Sequence, residues 1–264
     1  VTRYFDRITR PEQIIQSFPA AVQTMLDPAD CGPACISLSQ DIQGQTFDYP
    51  EDFFKEKIHA IRRPRPDEFQ IKEAAEKIKS SKNPIIISGG GVFYSNAMEE
   101  LSKFAIKHNI PVTQTVMGYS TMKRDHSHYA GQIGGLGGKN TNSLAKQTDL
   151  AIAVGTKLGD FTTGSWANFE NENFKLVSIN VSRFDANKHL AQAVVGDAKV
   201  SLDELSQALG DWKAGEEWNK KSQAELKVWN EHVDKESAPS NQEVPSYVQV
   251  VGSIYKNSDP SDIA

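Results

Sequence analysis

The sequence feature that most constrains the fold is an apolar strand that runs directly into three glycines. Residues 84–88 form a continuous apolar run, and Gly89-Gly90-Gly91 follows it. An amphipathic segment then continues to residue 109. Runs rich in Ile and Val without polar alternation are typical of strands buried on both faces of a parallel sheet. The segment therefore predicts a strand, a tight loop and a helix in an open α/β sheet.

The same alternation of helix and strand continues through residues 67–210. Asp67 with Gln70 and Asp197 predict two helix starts, and Ser95 is expected to cap the helix after the glycine loop. Further strands are predicted at residues 112–116, 150–154, 176–181 and 193–195. Apolar strands that alternate with amphipathic helices predict an α/β fold with a Rossmann-like parallel sheet and helices on both faces.

The first segment predicts one helix and one strand. Thr9 and Glu12 match a capping box, and apolar residues at helical spacing follow them. Pro19 is expected to kink this helix. Residues 34–38 predict a strand with no second strand in the segment to pair with. One helix and one strand cannot bury their own surface, so we expect this unit to be the tail of a larger domain.

Composition divides the chain into five parts. Residues 46–66 are rich in proline and charge and predict a linker, whose end at 62–66 is expected to be an extended, solvated connector. A polar helix that carries tryptophans follows the α/β domain and is interpreted as a helical linker. The last apolar helix is interpreted as the start of another domain. The predicted boundaries are 1–45, 46–66, 67–210, 211–243 and 244–264.

The candidate ligand site is the crevice at the carboxyl ends of the strands, where open α/β sheets bind their ligands. The helix after the glycine loop offers backbone N–H groups and a positive dipole end to an anion. The loop lacks G-x-G-x-x-G spacing, and no acidic residue follows about 20 residues on. A tight turn that binds nothing is therefore the alternative interpretation. The candidate cofactor-binding residues are Gly89, Gly90, Gly91, Gly155, Thr156 and Lys157.

Two further motifs admit a binding and a structural interpretation. Residues 131–138 hold five glycines in eight positions, as in a mobile ligand loop or a close-packed chain crossing, and we favour the crossing. His126 and His128 lie beside Asp125, without a third ligand at a supporting spacing. We therefore expect surface-loop histidines and predict no metal ligands. Ser95 and Ser165 lack the G-x-S-x-G context of a hydrolase elbow.

Composition excludes several classes of function. The formal net charge is -5, which gives no electrostatic case for nucleic acid. The longest apolar runs are much shorter than the ~20 residues of a membrane helix, and the charged start does not resemble a secretory signal. Cys31 and Cys35 are spaced one residue wider than a redox C-x-x-C, so we expect a buried structural role and a reducing compartment. We therefore expect a cytoplasmic protein without membrane or nucleic-acid partners.

Several strings resemble the acetolactate-synthase superfamily of thiamine-diphosphate enzymes. Residues 31–42 resemble the end of its pyrimidine-binding domain, although Ser39 stands where the family usually has proline. Residues 83–91 and 150–156 resemble its central domain, and 244–263 resemble the entry to its pyrophosphate-binding domain. Within that superfamily, the trihydroxycyclohexane-dione hydrolases of myo-inositol catabolism are similar at residues 3–13, 48–51, 159–165 and 180–189.

The resemblance implies a parent protein that uses thiamine diphosphate and magnesium to open the ring of the cyclic dione, giving a deoxy sugar acid. The family's activating glutamate and its Gly-Asp-Gly metal motif do not occur here. We therefore expect an inactive central fragment with no catalytic residue and no bound cofactor. Its partners would be the remaining domains of a dimeric or tetrameric parent.

The resemblance also has implications for nucleotide binding by the central domain. Some relatives hold FAD or ADP in the central domain, but flavin-binding relatives often have an acidic residue where this chain has Asn180. FAD and ADP are therefore not expected. Two alternatives stay open, a fragment of an acetolactate-synthase-like carboligase and a non-catalytic nucleotide-binding module.

Overall fold

The computed structural model describes residues 1–241 and 243–259. The chain opens with strand β1 (Tyr4–Ile8), helix α1 (Ile14–Leu26), strand β2 (Ala34–Leu38) and helix α2 (Gln40–Gln43). β1 and β2 pair in parallel, with Phe5 opposite Cys35. The prediction of an unpaired strand is therefore wrong. β1 was not predicted, because Asp6 and Arg7 give this segment a charged sequence, and Arg7 lies on the exposed face of the strand.

The start of α1 differs from the predicted capping box. A 3-10 turn at Pro11–Gln13 precedes the helix, and this turn shifts the capping position by one residue. Gln13, in place of Glu12, therefore reaches back, and its Oε1 accepts the Thr9 amide hydrogen bond at 3.0 Å. Pro19 lies inside α1, which continues unbroken to Leu26, and the kink stays a prediction.

The central part of the chain alternates helices and strands. A 3-10 turn lies in the linker at Glu51–Phe53. The first half then contains α3 (Glu68–Lys79), β3 (Pro84–Ser88), α4 (Gly90–Tyr94), α5 (Met98–His108), β4 (Val112–Gln114), β5 (Tyr129–Gln132) and α6 (Lys139–Gln147). The second half contains β6 (Leu150–Val154), α7 (Asp160–Thr163), β7 (Lys175–Asn180), α8 (Arg183–Ala186), β8 (Gln192–Val195) and α9 (Ala198–Leu209). Two longer helices follow, α10 (Glu216–Glu236) and α11 (Tyr247–Asn257).

The six strands β3–β8 form one parallel sheet in the order β5-β4-β3-β6-β7-β8. The chain moves outward from β3 in one direction and then from β6 in the other, which is the Rossmann order. The predicted α/β fold class is confirmed. β5 was not predicted, because its Gly131 and Gln132 interrupt the apolar pattern, and Gly131 has a φ of +104°.

Alternate residues of the central strands enter two cores, one on each face of the sheet. Ile86 of β3 packs with α3, α5 and α9 on one face. Ile85 and Ile87 pack with α6 and with Trp218 of α10 on the other. Because both faces are covered, all five residues of β3 and of β6 are buried, which explains their uninterrupted apolar sequences.

Of the three helix caps predicted within residues 67–210, two are present. Asp67 accepts a hydrogen bond from the Phe69 amide at 2.9 Å, and Asp197 accepts one from Lys199 at 3.0 Å. Ser95 instead ends α4, and α5 begins after Ala97. The predicted Ser95 cap is wrong because Asn96, with a φ of 51°, breaks the chain direction between the two helices.

The end of the linker is attached to the α/β domain. Arg63 forms an ion pair with Asp197 at 3.1 Å and donates to the Ser95 carbonyl. The Asp197 amide donates to the Pro64 carbonyl at 2.8 Å, and Arg65 pairs with Glu204. The connector is therefore attached to α9 at residues 63–66 and Pro66 is buried, while Arg63 and Arg65 stay exposed to solvent as predicted.

Helix α10 packs on the central sheet. Trp218 is buried, and its indole Nε1 donates to the Pro84 carbonyl at 2.8 Å. Leu226 is also part of the core. This packing favours placing α10 with the α/β domain rather than in a separate linker, although the five-part division of the chain stays a prediction. Within the described residues, no helix has both the length and the apolar character required to cross a membrane.

Candidate functional site

The predicted crevice lies where the strand order reverses. β3 and β6 are neighbours, and the loops that follow them begin at Gly89 and Gly155. In open α/β sheets, ligands bind at this switch point, outside the carboxyl ends of the strands. The structure therefore brings five predicted residues together, namely Gly89, Gly90, Gly91, Gly155 and Thr156, with the exposed Lys157 next to them.

The two glycine loops contact each other directly. The Gly91 amide donates to the Gly155 carbonyl at 2.9 Å, and the Gly89 amide donates to the Val154 carbonyl at 2.9 Å. A Cβ atom at Gly91 would lie 2.5 Å from the Gly155 Cα, and Gly155 has a φ of +60°. Glycine is thus required here for packing between the loops and for a left-handed backbone. The Gly91 amide, which an anion would otherwise use, already has a partner within the protein.

A third loop lies over the first one. The 3-10 turn at Val116–Gly118 follows β4, and a Cβ atom at Gly90 would lie 3.0 Å from the Met117 carbonyl oxygen. A Cβ atom at Gly118 would lie 2.8 Å from the Ser88 carbonyl carbon. The residue patterns did not predict this contact, because it depends on the order of the strands. The chain itself therefore covers much of the glycine loop, which supports the tight-turn interpretation.

Asn180 connects the loops after β6 and β7. Its Nδ2 donates to the Thr156 carbonyl at 3.2 Å, and its Oδ1 accepts from the Ser182 amide at 2.9 Å. Both polar ends of this buried side chain are therefore occupied within the protein. This geometry does not fit ribose recognition by Asn180. The role of the crevice in nucleotide binding stays a prediction.

Backbone strain marks two loops, one between β6 and β7 and one directly before β8. Gly164, Ser165 and Trp166 have consecutive φ values of 58°, 51° and 70°, and His189 and Leu190 have values of 59° and 56°. Left-handed conformations cost about 1–2 kcal/mol for each non-glycine residue. The ring centroids of Trp166 and His189 lie 4.2 Å apart, so packing between the two loops holds them in place. No sequence signal marks these strained turns.

The glycine-rich segment after Gly131 is closely packed. A Cβ atom at Gly137 would lie 2.8 Å from the Ile133 Cα, and one at Gly138 would lie 3.0 Å from the Trp229 Nε1. The Asn142 side chain holds both the amide and the carbonyl of Gly134, at 2.9 Å each. These contacts support the interpretation as a close-packed chain crossing rather than as a mobile ligand loop.

The histidine and cysteine predictions need correction. His128 is only 8% exposed and hydrogen-bonded, so it is not a surface-loop residue. Its burial follows from its position directly before β5, a strand that was not predicted. Cys31 is exposed and Cys35 half-buried, and both are free. The expected burial is wrong for Cys31 because it lies in the open turn before β2. Among the described residues, no group of three or more His, Cys, Asp or Glu could hold a metal ion.

A comparison with known protein families shows which family this chain belongs to. The model of the family described as "Thiamine pyrophosphate enzyme, central domain" matches residues 71–205. The chain belongs to this family. The match covers the strands from β3 to β8, together with the two glycine loops at the switch point. The predicted resemblance to thiamine-diphosphate enzymes is therefore confirmed.

Individual relatives of this thiamine pyrophosphate enzyme domain share one name. The chain is similar to 3D-(3,5/4)-trihydroxycyclohexane-1,2-dione hydrolases from Clostridium tetani (40% identical over 271 residues, 98% of this chain and 41% of the relative) and Bacillus velezensis (44% over 230 residues, 85% and 36%). The protein of that name from Bacillus subtilis is 45% identical over 205 residues, which are 78% of this chain and 32% of the relative. The chain thus spans only about a third to two-fifths of the length of these relatives.

Proposed function

We propose that this chain is the central part of a thiamine-diphosphate-dependent hydrolase that opens the ring of trihydroxycyclohexane-dione in myo-inositol catabolism. The observation that carries the proposal is the identity of 40–45% to three relatives that bear this hydrolase name. The product would be a deoxy sugar acid. The parent would act as a dimer or tetramer in the cytoplasm, and this chain alone would be inactive.

The cofactors of the proposed reaction do not fit the described residues. Magnesium prefers oxygen ligands such as carboxylates in octahedral geometry, and the described part of the chain assembles no cluster of acidic side chains for it. The glycine loops at the switch point contact each other and Met117. We therefore assign thiamine diphosphate and magnesium to other domains of the parent, with the central sheet as their scaffold.

The proposal is tested by assaying the longer protein that contains this chain. With thiamine diphosphate and magnesium, it should hydrolyse the cyclic dione and should not condense pyruvate. Pyruvate condensation without dione hydrolysis would overturn the proposal in favour of a carboligase. Calorimetric titration of the 264-residue chain with thiamine diphosphate and magnesium should detect no binding. Tight stoichiometric binding would overturn the assignment of the cofactor to other domains.

A nucleotide-binding module is the second candidate, and the Rossmann strand order favours it. It predicts saturable binding of NAD, FAD or ADP that is lost in Gly90→Val, because a side chain there would meet the Met117 carbonyl. Gly159→Val is the matched control, since a Cβ at Gly159 meets no atom within 4 Å. Absence of binding to all three nucleotides would remove this candidate.

A further inference from the structure

A polar cleft lies at the amino ends of the central strands, at the opposite end of the sheet from the switch-point crevice. It has a volume of about 360 Å³ and lies between the segments that enter β3, β6 and β7. This volume is within the range of about 300–1,000 Å³ that small-molecule sites occupy. We call it the basal cleft, and its lining residues are all polar, namely Ser80, Ser81, Lys82, Asn83, Asp149, Asn171, Asn173 and Lys175.

Asp149 fixes one wall of the basal cleft. Its Oδ1 accepts from the Asn83 amide at 2.9 Å and from Ser81 Oγ. Its Oδ2 accepts from the Lys82 amide at 2.8 Å. Both carboxylate oxygens are thus occupied within the protein, and they hold the backbone from which the side chains of Lys82 and Asn83 extend.

The opposite wall is also fixed before any ligand binds. The Asn171 Oδ1 accepts from the Asn173 amide at 2.9 Å, which closes an Asx turn. The Asn171 Nδ2 donates to the Gln147 carbonyl at the end of α6, at 3.4 Å. Lys175 pairs opposite Leu150 as the first residue of β7. The positions of Asn173 and Lys175 are therefore set by backbone contacts.

Four side chains of the basal cleft keep bonding capacity. Among the residues that the structure describes, no carboxylate pairs with the ammonium group of Lys82 or Lys175. Lys175 Nζ donates to Ser80 Oγ at 3.4 Å, which uses one of its three N–H groups. Within the same described part of the chain, the side-chain amides of Asn83 and Asn173 have no hydrogen-bond partner. Two ammonium groups and two carboxamides thus remain for a ligand.

The charge of the basal cleft limits which ligand fits. Helices α3 and α6 end at this edge of the sheet, at Lys79 and Gln147. Their carboxyl ends carry partial negative charge, which the two lysines of the cleft partly offset. A bare anion therefore gains little net attraction here. A ligand that also carries hydroxyl groups gains more, because a carboxamide both donates to and accepts from a hydroxyl.

We propose that the basal cleft binds a small polyhydroxylated anion, such as a sugar acid or a sugar phosphate. Its anionic group pairs with Lys82 and Lys175, and its hydroxyl groups bond to Asn83 and Asn173. The proposal rests on the cleft alone and does not depend on the reaction of the parent protein. The deoxy sugar acid of the proposed ring opening belongs to the same chemical class, so the site would let the parent respond to a product of that kind.

NMR titration of the 264-residue chain tests the proposal. The probes are D-glucuronate, D-glucose 6-phosphate, myo-inositol and inorganic phosphate. The first two should give saturable shifts of the amides at 80–83, 149 and 171–175. They should bind more tightly than myo-inositol, which lacks the charge, and than inorganic phosphate, which lacks the carbon-bound hydroxyl groups. The tighter of the first two identifies the anionic group as a carboxylate or a phosphate.

Charge variants locate the site. Lys82→Gln and Lys175→Gln should each weaken binding of the tighter probe by about threefold to fivefold, as expected for the loss of one exposed ion pair. Lys72→Gln is the matched control, because Lys72 is exposed on α3 and does not line the cleft. It removes the same charge and should leave the affinity unchanged.

Three results would overturn the proposal. The first is the absence of saturable shifts at the basal cleft with both D-glucuronate and D-glucose 6-phosphate. The second is binding of inorganic phosphate or myo-inositol at least as tight as that of both hydroxylated anions. The third is an equal loss of affinity in Lys72→Gln, which would show non-specific attraction by the net charge. If Lys175→Gln does not fold, Lys82→Gln provides the comparison, since Lys82 lies in a loop and is exposed.

Discussion

The two sheets of this molecule differ in how much of their surface the described chain covers. In the six-stranded sheet, every residue of β3 and β6 is buried. In the two-stranded sheet, β1 is buried only at Ile8, and β2 contains no buried residue. Both sheets are parallel and follow the same hydrogen-bonding rules. The helices on both faces of the six-stranded sheet, rather than its strand pairing, therefore explain why its central strands are buried.

This difference in burial predicts which of the two sheets contributes more to the stability of the chain. The central strands are covered by α3, α5 and α9 on one face and by α6 and α10 on the other. The small sheet has α1 as its helical cover, with Phe5, Phe18 and Leu38 exposed. Large parallel sheets are stable when both faces are covered. We expect the central sheet to set the global stability and the small sheet to open more easily.

The largest expected effect comes from truncating a central strand. Ile152→Ala in β6 removes a side chain that is fully buried, so it should lower the free energy of unfolding by about 2–5 kcal/mol. Ile36→Ala, the matched change in the half-buried β2, should cost clearly less. Urea unfolding of both variants measures the difference. Equal losses would contradict the contrast between the sheets.

One hydrogen-bonded carboxylate at each sheet, directly before β6 or within β1, gives the next largest expected effect. Asp149 accepts from the amides of Lys82 at 2.8 Å and Asn83 at 2.9 Å. Asp149→Asn should therefore cost about 1.5–3 kcal/mol at neutral pH, the range for hydrogen bonds to charged groups. Asp6 of β1 accepts from Gln13 Nε2 at 3.0 Å in a half-buried position of the smaller sheet, and Asp6→Asn should cost less. Thermal unfolding at pH 7 compares the two.

The pH dependence of Asp149 provides a separate check. Burial raises its pKa, but the hydrogen bonds from Ser81, Lys82 and Asn83 outweigh burial and hold the pKa below its ordinary value. The carboxylate therefore contributes stability above about pH 3.9, and this contribution is lost as the pH falls through the lowered pKa. Asp149→Asn should be less sensitive to acid in this range than the unaltered chain. The same sensitivity in both would show that these bonds do not stabilise the base of the sheet.

The smallest effect is expected on the exposed face of the small sheet. Phe5 is 62% exposed, so Phe5→Ser should change the stability of the 264-residue chain by no more than about 0.5 kcal/mol. Phe104, which is 2% exposed, is the control, and Phe104→Ser should be strongly destabilising. In the longer protein, Phe5→Ser should cost more, if other domains cover this face. An equal, small effect in both lengths would argue against such cover.

The sequence predicted the strands with largely apolar runs best, including the half-buried β2 at Ala34–Leu38. β3 and β6 have their predicted bounds, because a strand buried on both faces is apolar throughout. β1 was missed, since its exposed face carries Arg7, and with Asp6 beside it the pattern resembles a charged terminus. β5 was missed because Gly131 supplies a left-handed residue within the strand. Residue patterns thus indicate a strand where the sequence is a largely apolar run, and miss one where charged residues or glycine interrupt that run.

The candidate site was predictable in part. The glycines at the ends of β3 and β6 mark the edge of the sheet where loops converge. The hydrogen bond between Gly91 and Gly155 could not be predicted, because it requires knowing that β3 and β6 are neighbours. The strained turn at Trp166 depends on its contact with His189, 23 positions later in the chain. Such contacts follow from strand order and carry no local signal.

Native-state hydrogen exchange of the 264-residue chain tests the contrast between the two sheets most directly. Amides of β3 and β6 should exchange only through global unfolding, and their exchange free energies should match the value from urea unfolding. Amides of β1 and β2 should exchange through local opening, at clearly lower free energies. Equal protection of β2 and β6 would contradict the account, because the small sheet would then be as stable as the sheet that helices cover on both faces.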